Sequence, residues 1–131
     1  MKNTLISLFL IFVTTNLNAS NTCPLMIGEE NDPEETVTIE GKTLDFCCGS
    51  CVSKFEENTA YYIKASKALY DKFTQAERDK LGVDKVKLLE QQRCPIYNDR
   101  IVNPNSPTAE YKGTTIYLKT HFYEKYTRKY P

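Results

Sequence analysis

Val37-Thr38-Ile39-Glu40-Gly41-Lys42-Thr43-Leu44-Asp45-Phe46-Cys47-Cys48-Gly49-Ser50-Cys51 holds a hairpin and a thiol cluster in direct succession. Val37 and Ile39 alternate with polar residues before Gly41, and Leu44 and Phe46 alternate after it, the pattern of two antiparallel strands with glycine supplying the turn. Three thiols then fall between the second strand and a short amphipathic helix carrying Val52 and Phe55. A helix start offers free N–H groups and a positive dipole end, which favour thiolate over thiol. Cys51, closest to that start, is expected to feel this most.

Outward from this stretch, the chain repeats itself. Cys23-Pro24-Leu25-Met26 is echoed by Cys94-Pro95-Ile96-Tyr97, and Glu40-Gly41-Lys42-Thr43-Leu44 by Lys112-Gly113-Thr114-Thr115-Ile116. Val52 to Glu57 matches Tyr123 to Arg128 with one residue deleted, so Phe55 pairs with Tyr126. Each copy reads as Cys-Pro, a polar loop, a hairpin turning at glycine, and a short helix. In the second copy Lys119 and Thr120 stand where Cys47 and Cys48 would be, so this unit is expected not to bind metal alone. Its tyrosines, Tyr111 and Tyr117 among them, are expected to pack a second core rather than form a binding face.

Between the copies, Tyr61-Tyr62, Ala65, Ala68-Leu69 and Phe73 recur at helical spacing and predict one amphipathic helix with a buried aromatic stripe. Thr74-Gln75-Ala76-Glu77 fits a capping box opening a new helix, which Gly82 ends. Val83 to Gln92 is expected to form a last helix before Cys94. The organisation predicted is α+β: a signal peptide over 1–19, a first unit over 20–62 with the cysteine cluster, a helical linker over 63–93, and a second, degenerate unit over 94–131.

The donors near Cys23 are soft. Cys23 with the Cys47-x3-Cys51 pair offers three thiolates, and Cys48 overlaps as a Cys-x2-Cys pair with Cys51. Thiolates suit copper(I) or zinc, whereas magnesium or calcium would require an oxygen cage. The acidic run Glu29-Glu30, Asp32, Glu34-Glu35 lacks a calcium-loop pattern and reads as a solvated loop. Met26 adds a thioether beside Cys23, although methionine commonly fills a gap in a core.

The leading Cys-Pro, the hairpin with Glu-Gly-Lys, the Phe-Cys-Cys-x-x-Cys-x-x-x-Phe run and the tyrosine-rich helix resemble the YHS domain and the related TRASH metal-sensing domain. The likeness spans Cys23 to Tyr62, with Cys23, Cys47, Cys51 and Phe55 in the family's marked places. It implies a small treble-clef-like hairpin and helix in each unit, and binding, trafficking or sensing of heavy metals, copper in particular. Cys23, Cys47 and Cys51 are then the expected ligands, with Cys48 either the fourth or a disulfide partner for Cys94.

Lys2, the apolar run Leu5 to Val13 and the small Ala19 form a signal peptide pattern, so the protein is expected to be exported, to a periplasm or out of the cell. The apolar run is shorter than the roughly 20 residues a spanning helix needs, so no stable membrane span is expected. Charge is balanced at 17 basic and 17 acidic side chains, which gives no electrostatic ground for a nucleic-acid partner. The expected partners are a soft metal ion and a protein of metal trafficking.

Exported thiols commonly oxidise, and an odd count of five cysteines leaves one without an intrachain partner, so a disulfide-stapled structural or interaction module is the competing reading. Cys48-Gly49-Ser50-Cys51 also has the form of a redox dithiol, but the hairpin before it is not the strand–helix alternation of a thioredoxin-like fold. The single histidine, His121, supports no triad or histidine-rich zinc site by itself, and no enzymatic activity is expected. It remains a candidate donor to a site shared with Cys94.

Overall fold

A computed structural model describes residues 21–119; the predicted signal peptide, Thr120, His121 and the second unit's helix lie outside the described residues. The described chain is mixed α+β, with two separate two-stranded antiparallel hairpins and a few short helices. The first hairpin pairs β1 (Asp32–Ile39) with β2 (Lys42–Phe46), Ile39 opposite Lys42. That register leaves a two-residue turn in which Glu40 and Gly41 both have positive φ, 49° and 71°. This is the primed turn whose twist matches that of the strands.

Alternation along β2 then decides which face is buried: Leu44 and Phe46 are fully buried while Thr43 and Asp45 face solvent. Three residues after Phe46 the chain enters α1 (Gly49–Glu57), which buries Cys51 and Phe55. The Phe46 and Phe55 rings meet at 5.2 Å between centroids. Each buried ring contributes on the order of 1.5–3 kcal/mol, so this pair anchors the cysteine turn to the core from both sides.

The predicted continuous helix from Tyr61 to Phe73 is interrupted. α2 (Thr59–Ala65) ends at Ser66, which is extended at φ −104° and buried, and α3 (Lys67–Tyr70) restarts beyond it. The break still places Tyr61, Tyr62, Ile63, Leu69 and Phe73 in the core that holds Phe46 and Phe55. α4 (Gln75–Lys80) opens with the predicted capping box, the Thr74 side chain and Glu77 each satisfying the other's backbone N–H, and Gly82 follows in the left-handed conformation. Glu77 also pairs with Lys42 from β2, whose ammonium holds its carboxyl below the usual range.

The helix expected over Val83 to Gln92 is not formed. One 3₁₀ turn, Val83–Lys85, gives way to extended chain from Val86. The backbone groups that a helix would pair internally are taken by side chains of α2. Lys64 Nζ donates to the carbonyls of Asp84 and Val86 at 3.0 and 2.6 Å, and the Leu89 N–H donates to the Tyr61 hydroxyl at 3.4 Å. Tertiary contact overrides local propensity here.

The acidic run is solvated as expected, but Asp32 to Glu35 lie in β1 rather than in a loop. The second hairpin pairs β3 (Thr108–Tyr111) with β4 (Thr114–Tyr117) across Lys112 and Gly113, both again at positive φ. Gln91 clamps its edge, accepting from the Tyr117 N–H at 2.9 Å and donating to the Tyr117 carbonyl at 2.6 Å. The core beneath is built from Cys94, Val102 and Leu118, with Tyr117 packed at its margin. Tyr111 is 57% exposed, contrary to the expectation that it packs inward.

Both Cys-Pro segments close the same backbone ring, with Cys23 N–H donating to Glu29 O at 2.8 Å and Cys94 N–H to Arg100 O at 3.1 Å. The two rings lie against each other through Ile27 N–H to Asp99 O, 2.9 Å, and Ile101 N–H to Leu25 O, 3.4 Å. A further link joins Asn103 to the buried Tyr62 hydroxyl, 2.7 Å.

Candidate metal centre

Two segments bring the thiols together. The end of β2 and the start of α1 supply Cys47, Cys48 and Cys51, and the ring after Asn21 supplies Cys23. Cys48 is the N-cap of α1, its carbonyl accepting from the Cys51 N–H at 2.9 Å, so Cys51 sits on the first turn and faces back toward β2. Its Sγ is 3.7 Å from that of Cys47.

The Sγ atoms of Cys23, Cys47 and Cys51 all lie within 4.8 Å of one another, and this is the one such group of possible ligands among the described residues. A tetrahedral ion with metal–sulfur bonds of about 2.3 Å holds its sulfurs about 3.8 Å apart. The thiols therefore stand close to ligand spacing, and the set is soft, as copper(I) or zinc requires. The acidic side chains of β1 do not join it.

Cys48 is adjacent to this group without being a member. Its Sγ is 3.7 Å from Cys51 and 3.8 Å from Cys47, and it pairs with the Ser50 hydroxyl at 3.2 Å on the exposed side. Met26 is the other flanking sulfur, its Sδ 3.5 Å from Cys47 Sγ. All five cysteines are free thiols. The bridge considered between Cys48 and Cys94 is not formed: Cys94 is buried in the second core, where its sulfur accepts from the Tyr97 N–H at 3.5 Å.

Negative charge settles where the helix argument did not place it. A hydrogen bond from the Cys51 thiol holds Cys23 as the thiolate, its pKa lowered to about 5 against the opposing effect of burial. The same bond, together with burial and the Cys23 charge, pushes Cys51 up. Burial, then the hydrogen bond with Cys23 and the Cys23 charge, raise Cys47 to about 12, while the Ser50 hydroxyl lowers Cys48 to about 7. Position on the helix is outweighed by which thiol donates to which, since the cluster is buried and the charges are close. The start of α1 is also faced by a carboxylate, as a side chain added at Gly49 would meet Glu35 Oε2 at 3.4 Å.

A small cleft of about 20 Å³ reaches Cys51 and Met26, and its lining includes Lys54, Arg100 and Lys119. These cations arrive from α1, from the second Cys-Pro ring and from the residue after Leu118, so no local sequence pattern announces them. Arg100 is paired with Asp99 at 2.5 Å and lies 4.0 Å from Glu29, which offsets its charge at the cleft. No helix among the described residues is long and apolar enough to cross a membrane. No family model matches the chain, and no curated protein or solved structure matches it.

Proposed function

We propose that this chain is an exported, non-enzymatic protein that captures and hands on a soft metal ion, copper(I) or zinc, through Cys23, Cys47 and Cys51. The observation that carries the reading is the convergence of three thiols from two separated segments to within 4.8 Å. Structural cysteines in a core have no need of mutual sulfur contact, and Cys94 illustrates that case. Exchange follows from accessibility: Cys47 and Cys48 are half-exposed, so an incoming thiol of a trafficking partner reaches the ion by stepwise ligand replacement.

The resemblance to YHS and TRASH domains belongs to this reading, as do two treble-clef-like units joined by a helical linker. The duplication is supported by the paired backbone rings at Cys23 and Cys94 and by the paired positive-φ turns at Gly41 and Gly113. Loss of the cluster from the second unit is consistent with Lys119 in place of a thiol. A redox dithiol is the second reading, and the 3.7 Å separation of the Cys48 and Cys51 sulfurs favours it.

Anaerobic purification followed by thiol titration and metal analysis separates the two. About one equivalent of copper or zinc, lost in both Cys47→Ser and Cys51→Ser, is the expected result. Paired cysteines with no metal uptake after gentle reduction would sink the metal reading, and reversible oxidation confined to Cys48 and Cys51 would replace it with the dithiol.

A further inference from the structure

We infer that the Met26 thioether is the fourth donor of the centre, which makes the site a copper(I) site in preference to a zinc site; this rests on the metal-binding reading above. Two sulfurs flank the thiol trio, Met26 and Cys48, and they differ in what else holds them. Cys48 stands 3.7 and 3.8 Å from the Cys51 and Cys47 sulfurs, but its own sulfur is also engaged with the Ser50 hydroxyl at 3.2 Å on the exposed side. Met26 Sδ approaches Cys47 Sγ at 3.5 Å, already near the separation of two ligands on one ion.

The backbone fixes this approach. The Met26 carbonyl accepts from the Glu29 N–H at 3.2 Å, Met26 forms a β-bridge with Arg100, and the next residue, Ile27, is tied to Asp99 at 2.9 Å. Residue 26 is thus pinned on the ring that also presents Cys23. Its side chain is partly buried against the core cluster that includes Cys23 and Cys51.

Donor chemistry then selects the ion. A thioether is soft and uncharged, and it adds to thiolates around copper(I), whereas zinc draws its fourth ligand from thiolate, imidazole, carboxylate or water. A methionine that only fills space would be replaced by leucine with metal affinity intact. A methionine that ligates would not.

The chain has two methionines, Met1 and Met26, so selenomethionine labelling places one selenium at the candidate ligand, and the labelled Met26→Leu variant controls for Met1. With copper(I) bound to the labelled full chain, X-ray absorption at the copper edge is expected to show copper–selenium scattering that vanishes in Met26→Leu. Copper(I) affinity in that variant, measured by chelator competition, is expected to fall on the order of tenfold, the low end of what a lost supporting group costs a metal site, with zinc affinity unchanged. Copper-loaded wild type without selenium scattering, or a leucine variant that binds copper(I) as wild type does, would overturn the Met26 assignment. If Cys47→Ser and Cys51→Ser lose copper in the same experiment, the thiolate centre stands without Met26; if they keep it, the centre and the Met26 assignment fall together.

Discussion

Metal affinity should depend on pH with a slope that counts the protons still held by the free cluster. A centre of three thiolates needs Cys23, Cys47 and Cys51 all deprotonated, and every proton present in the metal-free protein leaves when the ion binds. Cys23, lowered to about 5, is already ionised at neutral pH, while Cys47, raised to about 12, and Cys51, raised by donating to Cys23 and by burial, are not. Two protons must therefore leave. The apparent association constant should rise about 100-fold per pH unit around neutrality, equivalent to about 2.7 kcal/mol. Chelator competition at stepped pH, corrected for the chelator's own protonation, reads this slope directly. Calorimetry in buffers of different ionisation enthalpy counts the same protons independently. A slope near three would mean that Cys23 is a thiol in the free protein and would refute the charge assignment. A slope of one or less would mean that a second thiol is already ionised in the free protein or that fewer than three thiolates join the ion, and either refutes the reasoning.

The same shifts set the stability of the reduced, metal-free chain. Cys23 is depressed from 9.0, so its contribution is complete above that pH and is lost as pH falls through about 5; Cys47 is raised from 9.0 to about 12, so folding is penalised progressively as pH rises through that interval. The cysteine contribution to the urea midpoint should peak near pH 9.0 and fall on both sides; a flat profile from pH 6 to 9 would contradict it. Tyr62→Phe strands the buried Asn103 amide that now donates to the hydroxyl at 2.7 Å, and should destabilise by about 1–3 kcal/mol. A double-mutant cycle with Asn103→Leu should recover part of that loss, and strict additivity would show that the bond contributes nothing. Thr74→Ala removes one half of the α4 capping box and should lower the unfolding free energy by about 1 kcal/mol, with an unchanged midpoint as the contrary result.

What could be read from the sequence depended on how local its cause was. The Gly41 turn, the buried pair Leu44 and Phe46, and the Thr74 capping box are fixed by residues within one turn or one strand, and each forms where its pattern lies. The failures have distant causes. Val86 to Leu89 is not helical because Lys64 and Tyr61 occupy its backbone groups from α2, and nothing inside the segment announces those partners. The helix predicted over Tyr61 to Phe73 has the right buried faces and the wrong continuity, since Ser66 satisfies its burial by turning the chain there. At the candidate centre, the clustered thiols were legible as residue types and spacing. The ionisation order was not, because it depends on Cys51 standing beside a cysteine 28 positions earlier in the chain.

The two cores differ in how many thiols they hold. The first is built from Leu44, Phe46, Phe55, Tyr62 and Ile63, with Cys23 and Cys51 buried among them. The second closes around Val102 and Leu118 with one buried thiol, Cys94. In the first core the Cys47 and Cys51 sulfurs stand 3.7 Å apart and the Cys51 thiol holds Cys23 as the thiolate, so the folded chain presents a charged sulfur with neighbouring thiols that give up their protons when an ion binds. An ion that binds the assembled cluster more tightly than the dispersed cysteines of the unfolded chain stabilises the folded state by mass action. Metal should accordingly raise the unfolding midpoint of the whole chain through the first unit, transmitted to the second by the paired Cys-Pro rings and the Tyr62–Asn103 bond.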